Sequence, residues 1–299
     1  SRKEQVLKGL NDAKDTTVLI WNEAGEAVQK TENWIDDKGF KTNEEVKKDE
    51  EIKAQKEAEE KAQKVLDEIL AKATERTKKI LSGTGWNGEA LENINNSNVI
   101  NQMSKTELVA VGLPTARSAC VFFSTAYGAA DALGITLSPE DVKKVYDYAI
   151  NRNPPSIGTN AKGEPSAYWV RSFSGIVDAV AAVKKVDASN ISIPKKLITT
   201  TSESGAKATK DIVNALQSGG SAQVRYSGHS MRVTGSFIEN GNVILNIKDT
   251  AFPNRKTYVD TSTMSLYTLN KKKERVPSDR VLTHYLPINK NNNVAVNKN

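Results

Sequence analysis

From Val6 to Ile35, apolar or small residues recur in alternating steps of three and four. Val6, Leu10, Ala13, Thr17, Ile20, Ala24, Ala27, Thr31 and Trp34 trace one stripe, and that spacing predicts a helix. Asp36-Asp37-Lys38-Gly39 supplies turn chemistry at its end. Thr42 with Glu45 three residues on reads as a capping box. It opens a second predicted helix that runs to Leu81, with sparse apolar positions at first and denser ones from Val65 onward. Residues 1–82 therefore read as a solvated helical hairpin, a coiled-coil-like arm. It is expected to be a spacer, with adaptor, self-association and inhibitory roles as the alternatives. Ser82-Gly83-Thr84-Gly85 breaks the pattern, and 83–103, rich in Asn and Gly, reads as a linker.

From residue 104 the texture changes. Ala119 to Leu133 is a dense run of small and apolar residues, predicting a buried helix closed by Gly134. Ser138-Pro139 opens another through Ile150. Asn151 to Gly163 reads as a loop, Tyr168 to Lys184 as a third helix, and Thr209 to Gln217 as a fourth. Strand-like alternation follows at 222–226, 230–238, 243–248, 256–259, 265–269 and 280–285, with a hairpin signal at Asn240-Gly241. Helices first and antiparallel strands after them make 104–288 an α+β domain. The Asn- and Lys-rich stretch 289–299 is expected to be disordered.

Composition narrows the function. The chain has 299 residues, 38% apolar and 6% aromatic, and no run of apolar residues long enough to span a membrane. Its net charge of +6 arises from 42 basic and 36 acidic residues that are interleaved. With no zinc-finger spacing and no helix-turn-helix signature, nucleic acid is not the expected partner. The start at Ser1 fits neither a signal nor a transit peptide. The chain is expected to be part of something longer, secreted or virion-associated. One cysteine excludes an intramolecular disulfide and a cysteine-based metal site, and no cofactor or metal is expected. With two histidines in the chain, Cys–His chemistry must join Cys120 to His229 or His284.

Cys120 falls in the first turn of a predicted helix, after Pro114, Thr115 and Ser118. There the helix dipole and unpaired N–H groups favour a thiolate; a cysteine is also a common small core residue. His229, between Gly228 and Ser230, stands at a strand entrance where a base could face a cleft. A surface histidine is the plain alternative. His284, near the C-terminal edge, is the poorer base. Asp249 ends the strand returning from Asn240-Gly241, and register decides whether it orients His229. A two-residue turn places it opposite Arg232 on the wrong face, whereas a three-residue bulged turn places it opposite Val233 on the right one. The bulged turn is expected, with Asn246 as the fallback.

These residues resemble a known family. Cys120 on its helix, Ile212 to Gly220, and Gly228-His229-Ser230-Met231-Arg232-Val233-Thr234-Gly235 leading through Asn246 to Asp249 are similar to papain-like cysteine peptidases of the double-glycine leader-peptidase-like group. The resemblance spans about 105–260. It implies a papain-like fold, a Cys120–His229–Asp249 triad and hydrolysis of a peptide or amide bond through a thioester. Similar domains of bacteria and their phages often cut peptides, including those of the cell wall. The pattern departs from the family where a Gln should stand a few residues before the Cys. Gln102, Thr115 and Ser118 are the candidates to help the Cys120 N–H form an oxyanion hole. Trp169 and Arg232 are candidate substrate contacts. The other readings are a degenerate, non-catalytic domain serving interaction, and another Cys–His acyl transfer such as that of an amidase or transglutaminase.

Overall fold

Thr16 to Trp21 is rich in β-branched and aromatic residues, which favour extended backbone over helix. In the computed structural model, which describes residues 18–21, 27–30, 35–36, 39–40, 43–113, 116–201 and 203–291, β1 (Val18–Trp21) and β2 (Ala27–Lys30) pair as antiparallel strands. The helix expected over 6–35 is therefore corrected at those residues; its remaining positions up to Trp34 lie outside the described residues. β3 (Ile35–Asp36) and β4 (Gly39–Phe40) form a second short pair. The chain divides into two units, Ser1–Asp67 and Glu68–Asn299.

The second predicted helix is two. α1 (Asn43–Lys72) stops, and α2 (Glu75–Thr84) restarts on Thr74, whose side chain accepts the Thr77 N–H. The break has a tertiary cause, since the Thr74 N–H is donated to the carbonyl of Gly241 at 3.0 Å. A helix continuing past residue 72 would not present that donor. The 83–103 segment is part of the same unit. It carries the buried Trp86 and the short β5 (Leu91–Glu92). α3 (Lys105–Ala110) follows, capped by Ser104.

The dense apolar run forms α4 (Cys120–Leu133), buried along almost its whole length and closed by Gly134 at φ 70. α5 (Pro139–Asn151) begins on a reciprocal capping box between Ser138 and Asp141. β6 (Ile157–Thr159) and β7 (Pro165–Val170) pair, so Tyr168 and Trp169 sit on a strand rather than at a helix start. The helix there is α6 (Phe173–Lys184), opened by Ser172 accepting the Gly175 N–H. After β8 (Ile191–Ser192) and β9 (Ile198–Thr199) comes α7 (Gly205–Gln217). The antiparallel strands follow: β10 (Ser221–Tyr226), β11 (His229–Glu239), β12 (Asn242–Lys248), β13 (Thr257–Asp260), β14 (Ser265–Leu269), β15 (Arg275–Val281) and β16 (His284–Lys290). The single strand expected at 280–285 is split, because residues 280–281 pair with β14 while His284 opens a strand along β10. Asn289 and Lys290 belong to β16 and pair with β8, so the expected tail does not start at 289; residues 292–299 lie outside the described residues.

The sheet runs β15-β14-β13-β12-β11-β10-β16-β8. One apolar core joins α4, α5 and α6, with Phe122 and Phe123 fully buried. Another lies between the sheet and α2 and α7, through Ile80, Ile212, Val224, Met231 and Leu245. Alternation along β10 and β11 gives the opposite face Ser221, Gln223, Ser230, Arg232 and Thr234, all buried. That polar face meets α4, where Thr125 donates to Gln223 and Asp131 pairs with Arg232. The protein is thus α+β, with a mostly antiparallel sheet. No described helix is long and apolar enough to cross a membrane.

Candidate active site

Cys120 is the first residue of α4, after a turn of 3-10 helix at Ala116–Ser118. Its thiol is buried and interacts with the His229 ring. Burial alone would push the thiol up. The His229 contact, the backbone N–H groups of Ser230 and Val121, and the His229 charge outweigh it and hold the thiol below its ordinary value.

His229 opens β11. Tyr226 and His229 face each other across the ladder, so Ser227-Gly228 is a two-residue hairpin turn with Gly228 at φ 81. Gly228 therefore serves the turn, and a Cβ there would meet nothing within 4 Å. His229 Nε2 lies 2.8 Å from Asp249 Oδ1, which leaves Nδ1 for the thiol. Burial works against a charged ring, but the bond to Asp249 and the contact with Cys120 raise its pKa from 6.5 to about 9. Both shifts favour a thiolate–imidazolium pair at neutral pH.

Asp249 reaches His229 by a route that corrects the expected one. The turn is the two-residue Asn240-Gly241, both residues at positive φ. The bulge lies further along, where the register with β12 shifts between Val233 and Gly235. Thr234 is the extra residue. Continued past Arg232↔Lys248, the shifted ladder sets Asp249 against Met231, on the side that Met231 shares with His229. The bulge is held by β5, as the Asn93 N–H is donated to the Thr234 carbonyl at 2.7 Å. Glu92 pairs with Gly235, and a Cβ on Gly235 would stand 2.5 Å from the Leu91 carbonyl oxygen. Asp249 Oδ1 also accepts the Ala251 N–H at 2.8 Å, which fixes its rotamer. Asn246 stays mid-strand, opposite Gly235.

Gln102, distant in sequence, is brought to the site. It is buried, its backbone N–H is donated to the Thr250 carbonyl, and its Oε1 accepts the Thr250 hydroxyl at 2.6 Å. Its Nε2 donates to the Arg117 carbonyl at 3.0 Å. Gln102 thus ties the turn before Cys120 to the residue after Asp249. Ser118 is exposed on that turn, and Thr115 lies outside the described residues.

The two substrate candidates part. Trp169 is 53% exposed, edge-to-face with Tyr168 at 4.7 Å, on a strand packed beside the turn before Cys120. Arg232 is corrected: it is buried, its Nε lies 3.1 Å from Asp131 Oδ2, and its guanidinium sits over the Tyr127 ring at 5.2 Å. Asp131 is held in turn by the Asn95 and Asn96 N–H groups. Arg232 is a structural charge between α4 and the sheet, unable to meet a substrate. His284 opens β16 opposite Arg225, with its Nδ1 3.0 Å from the Thr283 hydroxyl. Tyr226, missed from sequence, packs on the His229 ring at 5.5 Å between centroids. Its only signal was its place two residues before the hairpin glycine.

The arrangement offers an activated nucleophile at a helix N-terminus, a base in contact with it, and a carboxylate that orients the base. No family model, curated protein or solved structure matches the chain.

Proposed function

We propose that this protein is a cysteine hydrolase with a papain-like division of labour, a helix carrying the nucleophile and a sheet carrying the base and its carboxylate. The observation that supports it is the His229–Asp249 bond at 2.8 Å, on a ring that interacts with the Cys120 thiol at the head of α4. The Cys120 thiolate attacks the carbonyl carbon of a peptide or amide. A C–S bond forms, the C–N bond breaks, and the leaving amine takes its proton from the His229 imidazolium. A water then gives a proton to His229 and attacks the thioester, releasing the acid and restoring the thiol pair. Asp249 accepts from His229 Nε2 and holds the ring in its tautomer. The first-turn N–H groups of α4, with Cys120 foremost, are the donors for the oxyanion. Gln102 sets the position of the turn that presents them.

Peptides, cell-wall peptides among them, are the substrate class to screen. Incubation with a mixed-sequence peptide library, read by mass spectrometry, should yield new termini with the full chain. Cys120→Ala and His229→Ala should yield none. Equal cleavage by Cys120→Ala would sink the reading.

A further inference from the structure

Several guanidinium groups among the described residues face a carboxylate. Arg152 meets Asp178 at 3.0 Å, Arg232 meets Asp131, and Arg275 meets Glu239 and Asp260. Arg280 is different. It is exposed on β15 and has no carboxylate partner among the described residues. Its guanidinium lies over the Tyr226 ring, 4.7 Å from the centroid, and interacts with the Tyr226 hydroxyl. Stacking on an aromatic ring fixes a guanidinium without neutralising it, and its in-plane N–H fork stays available to a carboxylate.

The position matters as much as the charge. The Tyr226 ring stands 5.5 Å from the His229 ring, which touches the Cys120 thiol. Arg280 is thereby held within about 10 Å of the catalytic imidazole, the length of roughly three extended residues. Two more cations without carboxylate partners among the described residues border the same machinery. Arg255 stacks on Phe252 at 4.1 Å, in the turn whose Phe252 N–H is donated to the Asp249 carbonyl. Arg117 is exposed three residues before Cys120. Against them, Asp249 is committed to His229, and Asp279, the neighbour of Arg280 in sequence, makes no ion pair with it.

We propose that Arg280, held on Tyr226, is the carboxylate-reading residue of this site, so that the substrate is a peptide with a carboxylate within about three residues of the bond cut. The proposal rests on the hydrolase reading of Cys120, His229 and Asp249. Arg255 and Arg117 add an attractive field at the mouth without fixing the register.

The test uses two thiol probes on the full chain, maleimidopropionate and its primary amide. Each is consumed by addition: the Cys120 thiolate forms a C–S bond to one alkene carbon, the neighbouring carbon takes a proton, and nothing leaves. The ratio of the two second-order rates is compared with that for N-acetylcysteinamide. In the wild-type chain it should exceed the reference by roughly tenfold at low salt. Arg280→Gln should lose most of that excess while its rate with the amide probe stays unchanged, and Arg280→Lys should keep a large part of it. A wild-type ratio equal to the reference, or an Arg280→Gln ratio equal to wild type, overturns the proposal. Failure of the hydrolase reading shows separately, as an amide-probe rate on Cys120 no faster than the reference.

Discussion

Cys120 depends on three kinds of support: its place at the head of α4, the N–H groups of Ser230 and Val121, and the His229 ring. Of these the ring is the one that titrates, and Asp249 keeps it charged by accepting its Nε2 proton. Asp249→Ala should therefore lower the His229 pKa from about 9 toward its ordinary value. Hydrolysis should fall by roughly a hundredfold, with the alkaline limb of the pH–rate profile moving to lower pH. A profile that keeps its alkaline limb would contradict that role. Cys120 and His229 were legible in the sequence, because with one cysteine and two histidines the candidates were few, and Asp249 was reached through the hairpin that returns it toward His229. Tyr226 and Arg280 were not, since only folding brings them beside His229. Arg232 misled for a related reason: an arginine on a strand is usually solvated, and nothing local announced Asp131 as its partner.

The β11–β12 hairpin positions the base and its carboxylate together. Asn240-Gly241 predicted the hairpin, yet the register depended on a bulge at Thr234 that forms because β5 binds there. Strand alternation alone could not reveal it, as β5 is two residues long and lies in a segment with linker-like composition. Gly235→Ala would drive its Cβ to 2.5 Å from the Leu91 carbonyl oxygen. The strain should cost about 1–3 kcal/mol and loosen the alignment of Asp249 with His229. Urea denaturation and the Cys120 alkylation rate should report both losses together; unchanged stability would mean the bulge is not held there. Elsewhere, capping signals gave α5 correctly, while the break at Thr74 escaped notice because it answers to Gly241, not to a local glycine or proline. The stripe read as a helix over 6–35 counted Thr17 and Ala27 as apolar and overlooked the β-favouring run at Val18–Trp21.

Helices that carry Cys120 and a sheet that carries His229 must be held in register for the site to exist. The seam between them is polar, and its anchor is the buried Arg232–Asp131 pair, placed three residues along β11 from His229 and near the far end of α4 from Cys120. Removing one partner strands the other charge in the interior. Asp131→Ala should thus cost about 3–5 kcal/mol, measured by urea denaturation, and a loss below 1 kcal/mol would deny the pair that role. The α+β layout could be read from the order of helices and strands; the polar seam could not, because its residues look like a solvated strand face until α4 covers them. The whole assembly favours one chemical state, a Cys120 thiolate beside a His229 imidazolium. Its most direct test is the rate of Cys120 alkylation by iodoacetamide as a function of pH, in wild type and in His229→Ala. The wild-type rate should rise at a pH below the ordinary thiol range and show a second inflection near pH 9, where His229 loses its proton. His229→Ala should show neither feature. A single wild-type inflection at the pH of an ordinary thiol, unchanged by His229→Ala, would contradict the account.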